Sequence, residues 1–201
     1  MLILRMMIKK IFSVLLFVFV STIISFSQVN TSNKDYYNGK NMVVHCMSNE
    51  KVEVNEDGKL ISCVLSENQY FFNGKNATVH CLIRRELKFF NSGIVRSAYL
   101  RKDQMFFNGK VEEVNAKKAS KIEFFESGKV QSAIIYRPHA FSNGKNEPVF
   151  CLENTKVLFY ESGNVQLAVL DTNHKFYDKN KKAFHYKKGD HVYFSDKGFI
   201  H

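Results

Sequence analysis

The sequence predicts an all-β chain built as a tandem array of β-hairpins, with a 35-residue period and two hairpins per repeat. Glycines recur at Gly58, Gly93, Gly128, Gly163 and Gly198, each 35 residues after the last. A second marker, Asn-Gly-Lys, recurs at the same interval around Gly39, Gly74, Gly109 and Gly144, and gives way to Asp178-Lys179-Asn180 where a fifth copy is due. Between the markers apolar and polar residues alternate, no window shows helical spacing, and the only prolines are Pro138 and Pro148. Self-similarity at such a period marks a stack of like units, each unable to bury its apolar face alone. The array is expected as an elongated single-layer sheet or a β-solenoid.

The chain opens with a basic start, Arg5, Lys9 and Lys10, followed by an apolar run from Ile11 to Phe26 and a small-residue ending at Ser25-Phe26-Ser27. That order matches a signal peptide over residues 1–27, with cleavage expected before Gln28. The run is slightly short for a membrane span, which needs about 18 to 20 apolar residues. Removing it takes away three basic residues and no acid, so the formal charge falls from +10 to +7. A basic surface favours anionic partners, while scattered lysines also guard a β surface against edge-to-edge pairing. Residues 28–34, rich in Asn, Ser and Thr, read as a flexible leader, and 35–201 as the repeat domain.

Within a unit, Asn-Gly between aromatic and polar runs predicts a tight type I′ hairpin turn, because both central residues of that turn need positive φ. The second turn, Glu126-Ser127-Gly128-Lys129, places glycine where a type I turn is followed by a left-handed residue. Aligning the copies exposes the core without any second sequence. Val52, Leu87, Ile122, Val157 and Val192 share one column, and Val54, Phe89, Phe124, Phe159 and Phe194 lie two residues on, on the same strand face. After the turn come Leu60, Val95, Val130, Val165 and Ile200. The Asn-Gly hairpin adds Tyr36, Phe71, Phe106, Phe141 and Phe176 before its turn, then Val44, Val79, Val114, Val149 and Phe184 after it.

The run Phe124-Phe125-Glu126-Ser127-Gly128-Lys129-Val130-Gln131-Ser132-Ala133 resembles the bacterial variant MORN repeat of YwqK antitoxin-like proteins. The closing run from Tyr186 to Phe194 resembles the linking segment of exported bacterial proteins built from such hairpins. The resemblance covers the chain after residue 27, and it implies hairpin architecture and an antitoxin-like, non-enzymatic role. The chain departs from the usual repeat in alternating two kinds of hairpin within its longer period.

Four cysteines are the candidates for covalent chemistry: Cys46, Cys81 and Cys151 share a column, and Cys63 stands in another otherwise filled by Ala98, Ala133 and Ala168. In an exported chain an even count favours disulfides, with three pairings open. The competing reading is small buried thiols packed as hydrophobes. His45-Cys46 and His80-Cys81 are not expected to bind metal, since neighbours on a strand point to opposite faces and no ligand spacing occurs. Ser62, Ser97 and Ser132 recur but Leu167 takes the fourth place, which marks strand positions and not nucleophiles. No elbow, phosphate loop or repeated carboxylate pair is present, so no catalytic residue and no cofactor is expected.

Paired aromatics such as Phe71-Phe72 and Phe124-Phe125 must point in opposite directions. The outward members, Phe72, Phe90, Phe107, Phe125 and Tyr160, form the candidate binding face. The expected function is non-enzymatic binding or scaffolding at the bacterial cell envelope, in the periplasm, at the surface or secreted. A protein partner or an anionic lipid or glycan is expected there, and no nucleic acid. The alternatives are an antitoxin or immunity-like protein that neutralises a partner, and an envelope enzyme with a site on unrecognised loops.

Overall fold

The computed structural model describes residues 25–29, 31–75, 77–110 and 112–200. Residues 1–24 of the expected signal peptide lie outside the described residues. The first strand is β1 (Ser25–Val29). Unit one supplies β2 (Lys34–Tyr37), β3 (Val43–Cys46), β4 (Lys51–Asn55) and β5 (Leu60–Val64); unit two supplies β6 (Gln69–Phe72), β7 (Thr78–Cys81), β8 (Glu86–Phe89) and β9 (Val95–Tyr99). Unit three has β10 (Gln104–Phe107), β11 (Glu113–Ala116), β12 (Lys121–Phe124) and β13 (Val130–Ile134). Unit four has β14 (His139–Ser142), β15 (Pro148–Cys151), β16 (Lys156–Phe159) and β17 (Val165–Val169). Unit five closes with β18 (His174–Tyr177), β19 (Ala183–Tyr186) and β20 (His191–Tyr193).

These strands build two unlike walls. One is a ten-stranded antiparallel sheet in the order β1-β4-β5-β8-β9-β12-β13-β16-β17-β20. The other is a row of five separate two-stranded hairpins, β2-β3, β6-β7, β10-β11, β14-β15 and β18-β19. The second hairpin of units one to four and β20 of unit five therefore join the large sheet, and the first hairpins do not. Along one side the walls are stitched together within units one to four: Cys46 bridges Leu65, Cys81 bridges Leu100, Ala116 bridges Ile135 and Cys151 bridges Leu170. The sheet stays open and does not close into a barrel.

The core lies between the walls, because alternate residues of both turn inward. Val52, Leu87, Ile122, Val157 and Val192 are fully shielded, and so are Val44, Val79, Val114 and Val149 on the facing hairpins. Phe71 meets Phe89 edge to face at 5.2 Å, and Phe106–Phe124, Phe141–Phe159 and Phe176–Phe194 repeat the contact at 5.2, 5.0 and 4.9 Å. Such aromatic pairs add about 0.5–1.5 kcal/mol each beyond the area they bury. Val54 and Phe184 are the two expected core positions that stay half-buried, one near each end of the array.

The segment expected to be a flexible leader is instead partly in strand. Gln28 and Val29 belong to β1, which pairs with β4 from Ser25 opposite Asn55 to Val29 opposite Lys51. An edge strand such as β4 presents unpaired backbone groups, and β1 pairs with them, Gln28 and Val29 being the part of it beyond the expected cleavage point. The Gln28 amide also donates to the Tyr36 hydroxyl at 2.9 Å.

The Asn-Gly turns also differ from expectation. Tyr37 opposite Val43 leaves a five-residue loop, closed by Asn38 N donating to the Met42 carbonyl at 3.3 Å. Positive φ falls on Gly39 (83°) and Asn41 (59°), not on Asn38, so this is no two-residue type I′ turn. The reason lies in the Asn38 side chain. Its oxygen accepts from the backbone of Lys40 and Met42, and its Nδ2 donates to the Gly93 carbonyl at 2.9 Å, 55 residues away in the next unit. The turn around Gly128 is as expected: Gly128 N donates to the Phe125 carbonyl at 2.9 Å and φ is 80°.

Candidate functional site

The five aromatics expected to form one face are divided between the walls. Phe72 and Phe107 project from the outer face of the hairpin wall and are 46% and 49% exposed. Phe90, Phe125 and Tyr160 begin the turns of the large-sheet hairpins and are half-buried. Tyr160 donates its hydroxyl to the Phe194 carbonyl at 2.8 Å, and the Arg96 guanidinium lies 5.8 Å from the Phe90 ring. These three rings brace turns rather than extend the exposed face.

The large sheet shows a polar outer surface. Cross-strand pairing lines up Glu53, Ser62, Lys88, Ser97, Glu123 and Ser132 in one row. The Ser62 and Ser132 hydroxyls donate to the carboxylates of Glu53 and Glu123 at 2.9 and 2.6 Å, so the recurring serines are spacers in a charge ladder. Lys121 completes it at 2.9 Å from Glu123. Burial alone would raise the Glu123 carboxyl, but the Ser132 hydroxyl and the Lys121 ammonium outweigh it and hold the group below the usual carboxylate range. Opposite charges in this ladder satisfy one another and leave little to attract a ligand.

The hairpin wall is different. Alternation sends Tyr37, Phe72, Phe107 and Tyr177 outward in one column, with Tyr70 and Met105 two residues earlier and Phe150 on a partner strand. Tyr37 and Tyr70 are 60% and 58% exposed. Serine interrupts the main column at Ser142, opposite Pro148. A depression between the first two hairpin turns, lined by Met42, Phe72, Gly74 and Ile94, opens beside this face. Tyr37, Tyr70, Met105, Phe150 and Tyr177 were absent from the expected set. Their signal was the strict inward columns of Tyr36, Phe71, Phe106 and Phe176 and of Val149 on a partner strand, which force the residues on either side out.

Histidines border the same face. His45 points outward while Cys46 points inward, and its Nδ1 lies 2.6 Å from Asp35 and its Nε2 3.5 Å from Glu67. Partial burial, with Lys102 and Arg101 nearby, lowers the pKa of His80, whose ring is tilted against Tyr70 at 6.3 Å. Among the described residues no group of three or more His, Cys, Asp and Glu side chains is placed to hold a metal ion. All four cysteines are buried, unbridged thiols.

The site is thus a broad, shallow, aromatic surface with histidines among its members, opposite a self-neutralised charge ladder. Comparison with protein-family models, with curated proteins and with solved structures finds no match for this chain.

Proposed function

We propose that the chain is a non-enzymatic binding or scaffolding protein of the bacterial cell envelope, which holds its partner against the outer face of the hairpin wall. The observation that carries this is the column Tyr37, Phe72, Phe107 and Tyr177, interrupted only by Ser142, whose rings stand exposed among the described residues. Large exposed aromatics in a contiguous array mark interaction surfaces, and such rings supply most of the binding energy where they are desolvated. The basic, apolar N-terminal stretch supports delivery to the envelope.

The test is capture on immobilised chain from envelope extract at low and high salt, comparing the native protein with a Phe72→Ser/Phe107→Ser variant. Both substitutions lie on exposed side chains, so the unfolding midpoint stays close to native. Loss of the retained partner in the variant at both salts supports the aromatic face. Undiminished retention, or retention that vanishes with salt alone, overturns it in favour of charge-driven association.

A further inference from the structure

The first unit differs from the others at two inward positions. The column ending each hairpin's second strand reads Cys46, Cys81, Ala116, Cys151 and Tyr186, and the facing column on the large sheet reads Cys63, Ala98, Ala133 and Ala168. Only in the first unit does cysteine occupy both. Cys46 bridges Leu65 at the seam between the walls, and Cys63 lies two residues before Leu65 on the same inward-facing side. The two are 0% and 1% exposed.

The hydrogen bonding at this pair is directional. Cys46 donates its thiol proton to the Val44 carbonyl at 3.7 Å, as Cys81 does to Val79 at 3.5 Å and Cys151 to Val149 at 3.3 Å. The Cys63 thiol lies beside that of Cys46, the neighbour that chiefly raises its pKa. A disulfide closes between Cβ atoms roughly 3.5–4.5 Å apart, and both side chains enter the core at the same seam. In the other units the partner is alanine and no bridge can form.

We propose that Cys46 and Cys63 form a disulfide that staples the two walls of the first unit. The bond is made by exchange with a small disulfide oxidant such as oxidised glutathione. One protein thiolate attacks the oxidant and releases one thiol, then the second attacks the mixed disulfide and releases another. Each protein sulfur loses its hydrogen, and the oxidant takes up two electrons and two protons. The supply of oxidant in the cell rests on the envelope location proposed above; the pairing itself rests on the seam that brings both cysteines to one place in the core. The hydrogen bond with Cys46, together with burial, keeps the Cys63 thiol protonated well above its ordinary range. Exchange needs the thiolate, so the folded reduced protein reacts slowly and the bond forms while the unit is still open.

The test uses the full chain, reduced and unfolded, then refolded in a mixture of oxidised and reduced glutathione and digested without reductant. Mass spectrometry is expected to find one linked peptide pair containing Cys46 and Cys63, with Cys81 and Cys151 recovered as thiols. The oxidised protein is expected to unfold roughly 5–10 °C above the reduced one. Cys63→Ala, which installs the residue of the other units, should fold, lose the linked pair and erase that difference. Four free thiols after oxidative refolding overturns the proposal, as does a link through Cys81 or Cys151. Because the refolding is done in vitro, a chain that proves not to be exported would leave a linked pair standing, so the two proposals fail separately.

Discussion

Asn73 and Gly128 are 55 residues apart, yet the Asn73 amide donates to the Gly128 carbonyl at 2.9 Å in a buried contact. Asn38–Gly93, Asn108–Gly163 and Asn143–Gly198 repeat it at 2.9, 2.8 and 3.3 Å. Each Asn-Gly-Lys turn thus clasps the large-sheet turn of the following unit. The fifth hairpin carries Asp178, whose carboxylate accepts from Asn180 N and Lys182 N at 2.8 and 2.9 Å. A carboxylate can accept these loop bonds but cannot donate the clasp.

The clasp makes the glycines unequal. A Cβ at Gly128 would fall inside the van der Waals surface of the Asn73 carbonyl oxygen, whereas one at Gly58 meets nothing within 4 Å. Both have positive φ, 80° and 73°. Gly128→Ala is expected to cost about 3 kcal/mol and Gly58→Ala about 1 kcal/mol, by urea unfolding. Asn73→Ala, which leaves the buried Gly128 carbonyl without its donor, should cost about 2 kcal/mol.

A stabilising change is expected at the link between hairpins. Asn49, Arg84, Ala119, Asn154 and Gly189 occupy one column, all with positive φ. Ala119 (56°) lacks the side-chain hydrogen bonding that eases asparagine into this region. Ala119→Gly should raise stability by about 0.5–1 kcal/mol, read as a higher thermal midpoint, and Gly189→Ala should lower it by a similar amount.

Adjacent phenylalanines should respond unequally. Phe124 is fully shielded and meets Phe106 edge to face, while its neighbour Phe125 is half-buried at the turn. Phe124→Ala is expected to cost about 3–5 kcal/mol and Phe125→Ala about 1 kcal/mol, measured by urea unfolding.

Acid should weaken the charge ladder. Hydrogen bonds from Lys51 and then Ser62 hold the Glu53 carboxyl below its ordinary range, and Glu123 is lowered as well. A carboxyl depressed in the folded state contributes stability above its unfolded pKa and loses it as pH falls through the folded one. The thermal midpoint should therefore drop as pH is lowered from the unfolded carboxylate range downward. Glu53→Gln/Glu123→Gln should flatten that dependence, at a cost near neutral pH of about 1 kcal/mol or less because the groups are partly exposed.

Much of the fold was legible because repetition acts as an internal alignment. Columns such as Phe71, Phe106, Phe141 and Phe176 fix which strand face is buried, and the structure buries all of them. Asn38 was misread because its decisive partner is a carbonyl 55 residues on, which no local turn rule contains. The exposed aromatic face was half legible. Phe72 and Phe107 follow from alternation, but whether Phe90 and Phe125 join them depends on how turns pack, and that is set by the second wall. Cys63 beside Cys46 was legible as an exception in its column, yet the contact appears only when the seam between the walls is formed.

Unlike bonding in the two walls gives the molecule a preferred direction of bending. Ten strands joined by backbone ladders resist being stretched apart. The hairpins opposite have no such ladder between them among the described residues; Gln69 and Gln104 instead reach to the neighbouring strand, Gln69 accepting from His45 N at 2.8 Å and Gln104 from His80 N at 3.2 Å. The large sheet is the inextensible leaf of a spring and the hairpins are its separate plates. Flexing that fans the plates strains side-chain bonds such as these and the asparagine clasps, while the strand pairing within each wall is kept.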